Sequence, residues 1–213
     1  MVRTPGKRSK KILIVIGVVV MAIIATTLFL RRDESSKEEV VFDPNNVVTE
    51  SLDEPDETKP KDHEVPADLP KRIMIPKIKV RGFIQLVSID QYGRIAVPNN
   101  IHIAGWYINS VKPGESGLSI IDGHRSGIEN PGVFYNLEKL KKDDKITIEY
   151  GDGSLREFRV IDMIQIVTEE AEEVMYERLE GVEKQLVLVT CGGEYDQELK
   201  TYKDRVIVRA RGI

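Results

Sequence analysis

The chain has 213 residues, enough for one ordinary domain and an additional segment, and a formal net charge of −4. That charge is unevenly spread: residues 1–32 carry seven basic side chains and no acidic one, residues 33–70 carry thirteen acidic and three basic, and the remainder is close to neutral. No basic stripe with interleaved aromatics follows residue 70, which argues against nucleic-acid binding, and three scattered histidines with one cysteine offer no zinc spacing.

The first element is an apolar run. Ile12 to Leu30 is an uninterrupted stretch of 19 uncharged residues. As a helix it would be about 28 Å long, close to the ~30 Å bilayer core. It exceeds an ordinary signal-peptide core, and no small-residue cleavage site follows it. Residues 12–30 are therefore expected to form an uncleaved transmembrane signal anchor. Arg3, Lys7, Arg8, Lys10 and Lys11 make residues 1–11 a basic cytoplasmic tail, so the bulk of the chain is expected outside the membrane. Residues 31–70 are rich in Asp, Glu, Pro, Ser and Thr. Such a composition buries too little apolar surface to offset ordering entropy, and an acidic, flexible stalk is expected.

Residues 71–213 form the globular domain. Its apolar runs are short and β-branched: Ile73–Ile75, Phe83–Val87, Ile101–Ile103, Leu118–Ile121, Ile146–Tyr150, Phe158–Ile166, Leu186–Thr190 and Val206–Ala210. Gly, Pro, Asn and Asp separate them, and Gly151-Asp152-Gly153 reads as a hairpin turn. Eight such strands predict an all-β barrel or sandwich. Helical signal is confined to one turn at Asn136–Leu140 and a short helix at Glu169–Leu179.

Three polar residues stand at the ends of these runs. His124 follows Leu118–Gly123, Cys191 follows Leu186–Thr190, and Arg205 precedes Val206–Val208. Sheet ends can aim side chains at one point. Cys with His is the minimal nucleophile and acid/base pair for acyl transfer, and arginine is a permanent donor for a developing oxyanion. Amides near Gly192 and Gly193 offer further donors. An unpaired cysteine outside the membrane is otherwise a buried inert thiol or an intermolecular bridge. His102, between Ile101 and Ile103, is expected on the surface, and His63 falls in the stalk. Trp106 and Tyr107 are expected to pack.

Val189-Thr190-Cys191 at the end of an apolar strand, with Arg205 opening the next and Gly123-His124 earlier, resembles the signature of the sortase family. Ala104-Gly105-Trp106-Tyr107, Pro113-Gly114-Glu115-Ser116-Gly117 and Thr190-Cys191-Gly192-Gly193 with Tyr195-Asp196 resemble its class F subgroup. The resemblance covers about Arg72 to Ala210. It implies an eight-stranded β-barrel with one or two short helices and a membrane-anchored cysteine transpeptidase. It implies cleavage of a Leu-Pro-x-Thr-Gly-like sorting signal through a thioacyl enzyme and transfer to an amine, typically on a cell-wall precursor. By motif, Cys191 is the nucleophile, His124 the general acid/base and Arg205 the oxyanion or substrate-backbone donor, while Val189 and Thr190 line the substrate groove. The partners implied are secreted proteins with a C-terminal sorting signal, and the location is a single-pass membrane protein with an extracellular catalytic domain. No cofactor is expected. Some sortases bind calcium in a loop comparable to Glu169, Glu170, Glu172 and Glu173, but a solvated helix face is the stronger expectation there. A hydrolytic thiol peptidase and a non-catalytic β-barrel are the alternatives.

Overall fold

The computed structural model describes residues 46–51, 55–62 and 64–213. The apolar run 12–30 and its basic flanks lie outside the described residues, as does His63. Among the described residues no helix is long and apolar enough to cross a membrane.

Eight strands close into a barrel: β1 (Pro70–Ile75), β2 (Val80–Val87), β3 (Ile103–Tyr107), β4 (Gly117–Gly123), β5 (Lys145–Tyr150), β6 (Leu155–Val167), β7 (Lys184–Asp196) and β8 (Thr201–Gly212). Around the barrel the order is β1-β2-β3-β4-β7-β8-β6-β5, and β5 pairs with β1 to close it. The β2–β3 and β4–β7 pairs are parallel and the others antiparallel. Closure removes the exposed edges that an open sheet would leave unpaired.

The interior is filled by alternate residues of each strand. Ile73, Ile75, Ile84, Ile121, Ile146, Ile148, Phe158, Leu186, Leu188, Val206 and Val208 meet there with Trp106 and Phe134. Their neighbours Ile120, Val187, Val189 and Ile207 face outward, yet they too are buried. They form a second cluster with Ala171, Val174 and Met175 of α1 (Ala171–Tyr176) and with Tyr107 and Ile166. This cover explains why Leu186–Val189 is continuously apolar. A strand buried on both faces has no polar alternation.

Seven expected strands fall within observed ones, and the Asp-Gly turn joins β5 to β6, with Gly153 at φ +80°. The run Ile101–Ile103 departs from expectation. Asn100 accepts the His102 N–H through Oδ1 at 2.9 Å, and its carbonyl accepts from Ile103 N at 3.1 Å. This side-chain turn holds Ile101 and His102 out of the ladder, and the strand begins only at Ile103. The expected helix over Glu169–Leu179 is shorter, a 3₁₀ turn at Thr168–Glu170 running into α1.

The described part of the acidic segment touches the barrel at several points. Val48 forms a parallel bridge with Val87 and Asp56 with Asn100. Gly151 N donates to Leu69 O at 3.0 Å. These contacts run through the backbone, whose donors and acceptors are present whatever the side chain.

Candidate active site

The parallel β4–β7 pair is the architectural key. Strands that run parallel end at the same side of the barrel, so the residue after β4 and the end of β7 come together. The register pairs Asp122 with Val189, and His124 and Cys191 each follow two residues on, His124 just past the end of β4. On the other side of β7, Cys191 is the direct partner of Arg205 in the antiparallel β7–β8 ladder. Residues paired in this way share a face. Val189 and Ile207 mark that face as the outer one, two residues from Cys191 and Arg205 respectively. The three residues singled out by sequence therefore gather where β4 ends and β7 pairs with β8.

Each is held differently. His124 is partly buried, and its Nε2 lies 2.7 Å from Pro98 O. A carbonyl only accepts, so Nε2 carries the proton. In the neutral ring this leaves Nδ1 as the basic nitrogen. Burial pulls the His124 pKa below its usual value, with the Pro98 carbonyl partly opposing. Arg205 Nη1 donates to Thr168 Oγ1 at 3.1 Å, Asp204 O at 3.0 Å and Tyr202 O at 3.3 Å. Nε and Nη2 have no hydrogen-bond partner among the described residues, so the guanidinium is anchored at one end and keeps donors at the other. Burial raises the Cys191 pKa. Arg205 and Arg125 counter that shift, and Asp122 adds to it. Thiol and imidazole are thus both driven towards their neutral forms.

After Cys191 the β7–β8 register slips between Gly192 and Tyr195. Gly193 sits at φ +72° in this bulge, where a Cβ would collide with Asp204 Oδ2. The slip interrupts regular pairing one residue past the thiol, and it resumes at Tyr195 and Tyr202.

Val189 and Thr190, expected on a substrate groove, are 5% and 1% exposed. Thr190 Oγ1 donates to Gly123 O at 2.7 Å and ties the cysteine strand to the residue before His124. Val189 contributes to the apolar floor beneath the site. Thr190→Val is expected to cost about 1–3 kcal/mol in urea unfolding, because the Gly123 carbonyl is left buried without that donor. An unchanged midpoint would refute this fastening role.

Two residues of the site carried no signal in the sequence reading. Asp122 shares the outer face with His124. Enclosure by the barrel surface pushes its carboxyl pKa up to about 7, against the Gly123 N–H at 2.6 Å and the Arg205 charge. Arg125 donates to Glu138 Oε2 at 3.1 Å, and its guanidinium lies 5.7 Å and 5.8 Å from the Tyr135 and Tyr202 ring centroids. Asp-Gly-His-Arg would have pointed to both only if the outer face were known to be covered.

Trp106 packs into the barrel with Nε1 on Val111 O, and Tyr107 packs into the outer cluster. His102 is half-buried against Glu57 O at 3.2 Å. Glu169, Glu170, Glu172 and Glu173 are exposed. Among the described residues no three His, Cys, Asp or Glu side chains converge as a metal site.

The sequence from residue 73 to 213 matches the family model of the sortase domain. No curated protein sequence matches. Among solved structures, the chain is similar to the sortase D5 transpeptidase of Clostridium perfringens, with 28% identity, 68% of this chain and 79% of that one covered, and a TM-score of 0.51. It is similar in fold to sortase A of Corynebacterium diphtheriae, a lid mutant, with 24% identity, coverage of 68% and 70%, and a TM-score of 0.52. Sortase C-1 of Actinomyces oris gives 23% identity, coverage of 67% and 72%, and a TM-score of 0.50. The matched span takes in His124, Cys191 and Arg205, and the chain belongs to the sortase family.

Proposed function

We propose that this sortase is a membrane-anchored cysteine transpeptidase that cleaves a Leu-Pro-x-Thr-Gly-like sorting signal and joins the new carboxyl end to an amine of the cell wall. The observation that carries the reading is the register, which pairs Cys191 with Arg205 and ends parallel β4 beside β7 just before His124. The Cys191 thiolate attacks the threonine carbonyl carbon, and Arg205 donates to the oxyanion. The Thr–Gly bond breaks as His124 gives its proton to the departing amine, which leaves a thioester. An incoming amine attacks the thioester, His124 takes its surplus proton, and Cys191 leaves as thiolate. Val189 floors the groove. The class F assignment rests on the motifs around Trp106, Pro113–Gly117 and Thr190–Gly193. The 12–30 signal anchor, the cytoplasmic residues 1–11 and the extracellular domain rest on hydropathy and flanking charge.

The test uses the full chain in detergent with Leu-Pro-x-Thr-Gly-like peptides and a panel of amines, followed by mass spectrometry. The expected result is a thioacyl adduct on Cys191 that transfers to an amine, with Cys191→Ala as the blank. An adduct released only to water would replace transpeptidation by hydrolysis. A thiol that alkylates but never acylates would overturn both.

The same neutral thiol and imidazole predict a pH profile. The productive thiolate–imidazolium form needs His124 protonated and Cys191 deprotonated, so kcat/KM falls below the lowered His124 pKa and above the raised Cys191 pKa. A bell with a broad top is expected. A profile without either limb would exclude the pair as the working couple.

A further inference from the structure

His124 is positioned by two loops. One is residues 97–102, whose Pro98 carbonyl receives the ring. The other is residues 125–131, which leaves directly from His124 and returns through Gly132 N to Arg125 O at 2.8 Å. Neither loop belongs to the barrel ladder. Both are bound by the same short piece of chain from the acidic segment.

On the first loop, Ser51 Oγ accepts from Val97 N at 3.0 Å, Asp56 N donates to Asn99 O at 2.8 Å, and Ile101 N donates to Asp56 O at 2.9 Å. Asn100 Nδ2 donates to Asp56 Oδ2 at 2.9 Å and to Thr58 O at 2.7 Å. On the second loop, the Glu57 carboxylate accepts from Ile128 N, from Glu129 N at 3.0 Å and from Asn130 Nδ2 at 2.5 Å. These donors have no strand to pair with, and the carboxylate satisfies them together. Those bonds hold the Glu57 carboxyl pKa below its usual range. Gly127 leaves the space the carboxylate occupies, since a Cβ there would collide with Glu57 Oε1. Ordinary surface docking would engage one loop. Here consecutive residues, Asp56 and Glu57, grip the loop under the histidine ring and the loop after it.

We propose that Asp56 and Glu57 form a brace that positions His124, with Glu57 the positioning residue for the acid/base. The inference rests on the reading of His124 as that acid/base. It makes Asp56 and Glu57 of the acidic segment part of the catalytic unit.

The experiment compares the full chain in detergent with Glu57→Ala, Glu57→Gln, Gly127→Ala and the Glu57→Ala/Gly127→Ala double variant. One readout is the titration of the His124 ring by NMR of histidine-labelled protein, assigned with His124→Asn. The other is kcat and KM for peptide transfer. Glu57→Ala and Gly127→Ala are expected to raise the His124 midpoint towards that of an ordinary histidine, because loosened loops admit water. They should lower kcat by roughly 10- to 100-fold with KM nearly constant. Glu57→Gln should remain close to the parent, because its amide oxygen still accepts the two backbone N–H groups and Asn130 can turn its own oxygen to the new NH₂. The double variant should be no worse than either single one, since both remove the same contact. An unmoved His124 midpoint in Glu57→Ala overturns the brace, as does a rise in KM alone. Global unfolding of both single variants also overturns it, by making Glu57 a fold determinant. If the parent chain transfers no peptide, the titration still decides. A moved midpoint then keeps the brace and removes the transpeptidase reading.

Discussion

Arg205→Ala is expected to lower kcat/KM for peptide transfer by about 10²–10³-fold, equivalent to about 3–4 kcal/mol of transition-state stabilisation. The side chain is pinned through Nη1 by Thr168, Tyr202 and Asp204, so its remaining donors are oriented before any substrate arrives. Such preorganisation is what makes an oxyanion donor effective. Arg205 also lowers the Cys191 pKa, so the variant thiol should alkylate more slowly with iodoacetamide near neutral pH. Arg205→Lys separates the two effects. It keeps the charge and should restore most of the alkylation rate. One ammonium cannot both hold the Thr168 end and reach over the thiol, so transfer should stay well below the parent. If the alanine variant transfers at the parental rate, Arg205 is only a strand-end ion.

Asp122→Asn should stabilise the protein at pH 8 and leave it unchanged at pH 4. The Asp122 carboxyl pKa rises from 3.8 to about 7 in the folded chain. Between those values the folded state holds a proton that the unfolded state has released. Stability therefore falls as pH rises through this window, and the full penalty is present above about pH 7. The shift corresponds to at most about 4 kcal/mol at 1.36 kcal/mol per pH unit. Asparagine keeps an oxygen for the Gly123 N–H and carries no charge. A gain of about 2–4 kcal/mol at pH 8 is expected by urea unfolding. Because the Asp122 charge raises the Cys191 pKa, the variant thiol should also alkylate faster above pH 7. An equal gain at both pH values would mean that packing, not ionisation, separates the two side chains.

The chain's barrel strands were legible because closed-barrel strands carry a continuous local signal of β-branched runs and turn residues. Ile101–Ile103 misled because Asn100 spends its side chain and carbonyl on a turn that hydropathy does not register. His124, Cys191 and Arg205 were legible from their places at strand ends and from their motifs. Their gathering at one place was not, since it depends on β4 and β7 running parallel across an intervening 60 residues. Nothing in the sequence shows the Thr190 hydroxyl turned to Gly123 O, which the fold alone brings within 2.7 Å. Asp122 carried no signal in the sequence. Its perturbation comes from the cover over the outer face, which is tertiary. Glu57 lay in a segment whose composition argued for solvent, and its partners are loop amides more than 70 residues away.

The position of β8 has a consequence for how the protein is made. The last strand in sequence is not at an edge but sits between β7 and β6. A chain emerging from its N-terminus must therefore hold two unsatisfied strand edges until β8 arrives, and β8 brings Arg205 with it. Closure and assembly of the site coincide in one late, long-range step, the kind that is slow because distant contacts must form together. Until that step the thiol has neither its guanidinium neighbour nor a finished floor beneath it. In a nascent molecule the neighbours of Cys191 are thus incomplete until β8 is in place, and they are completed together.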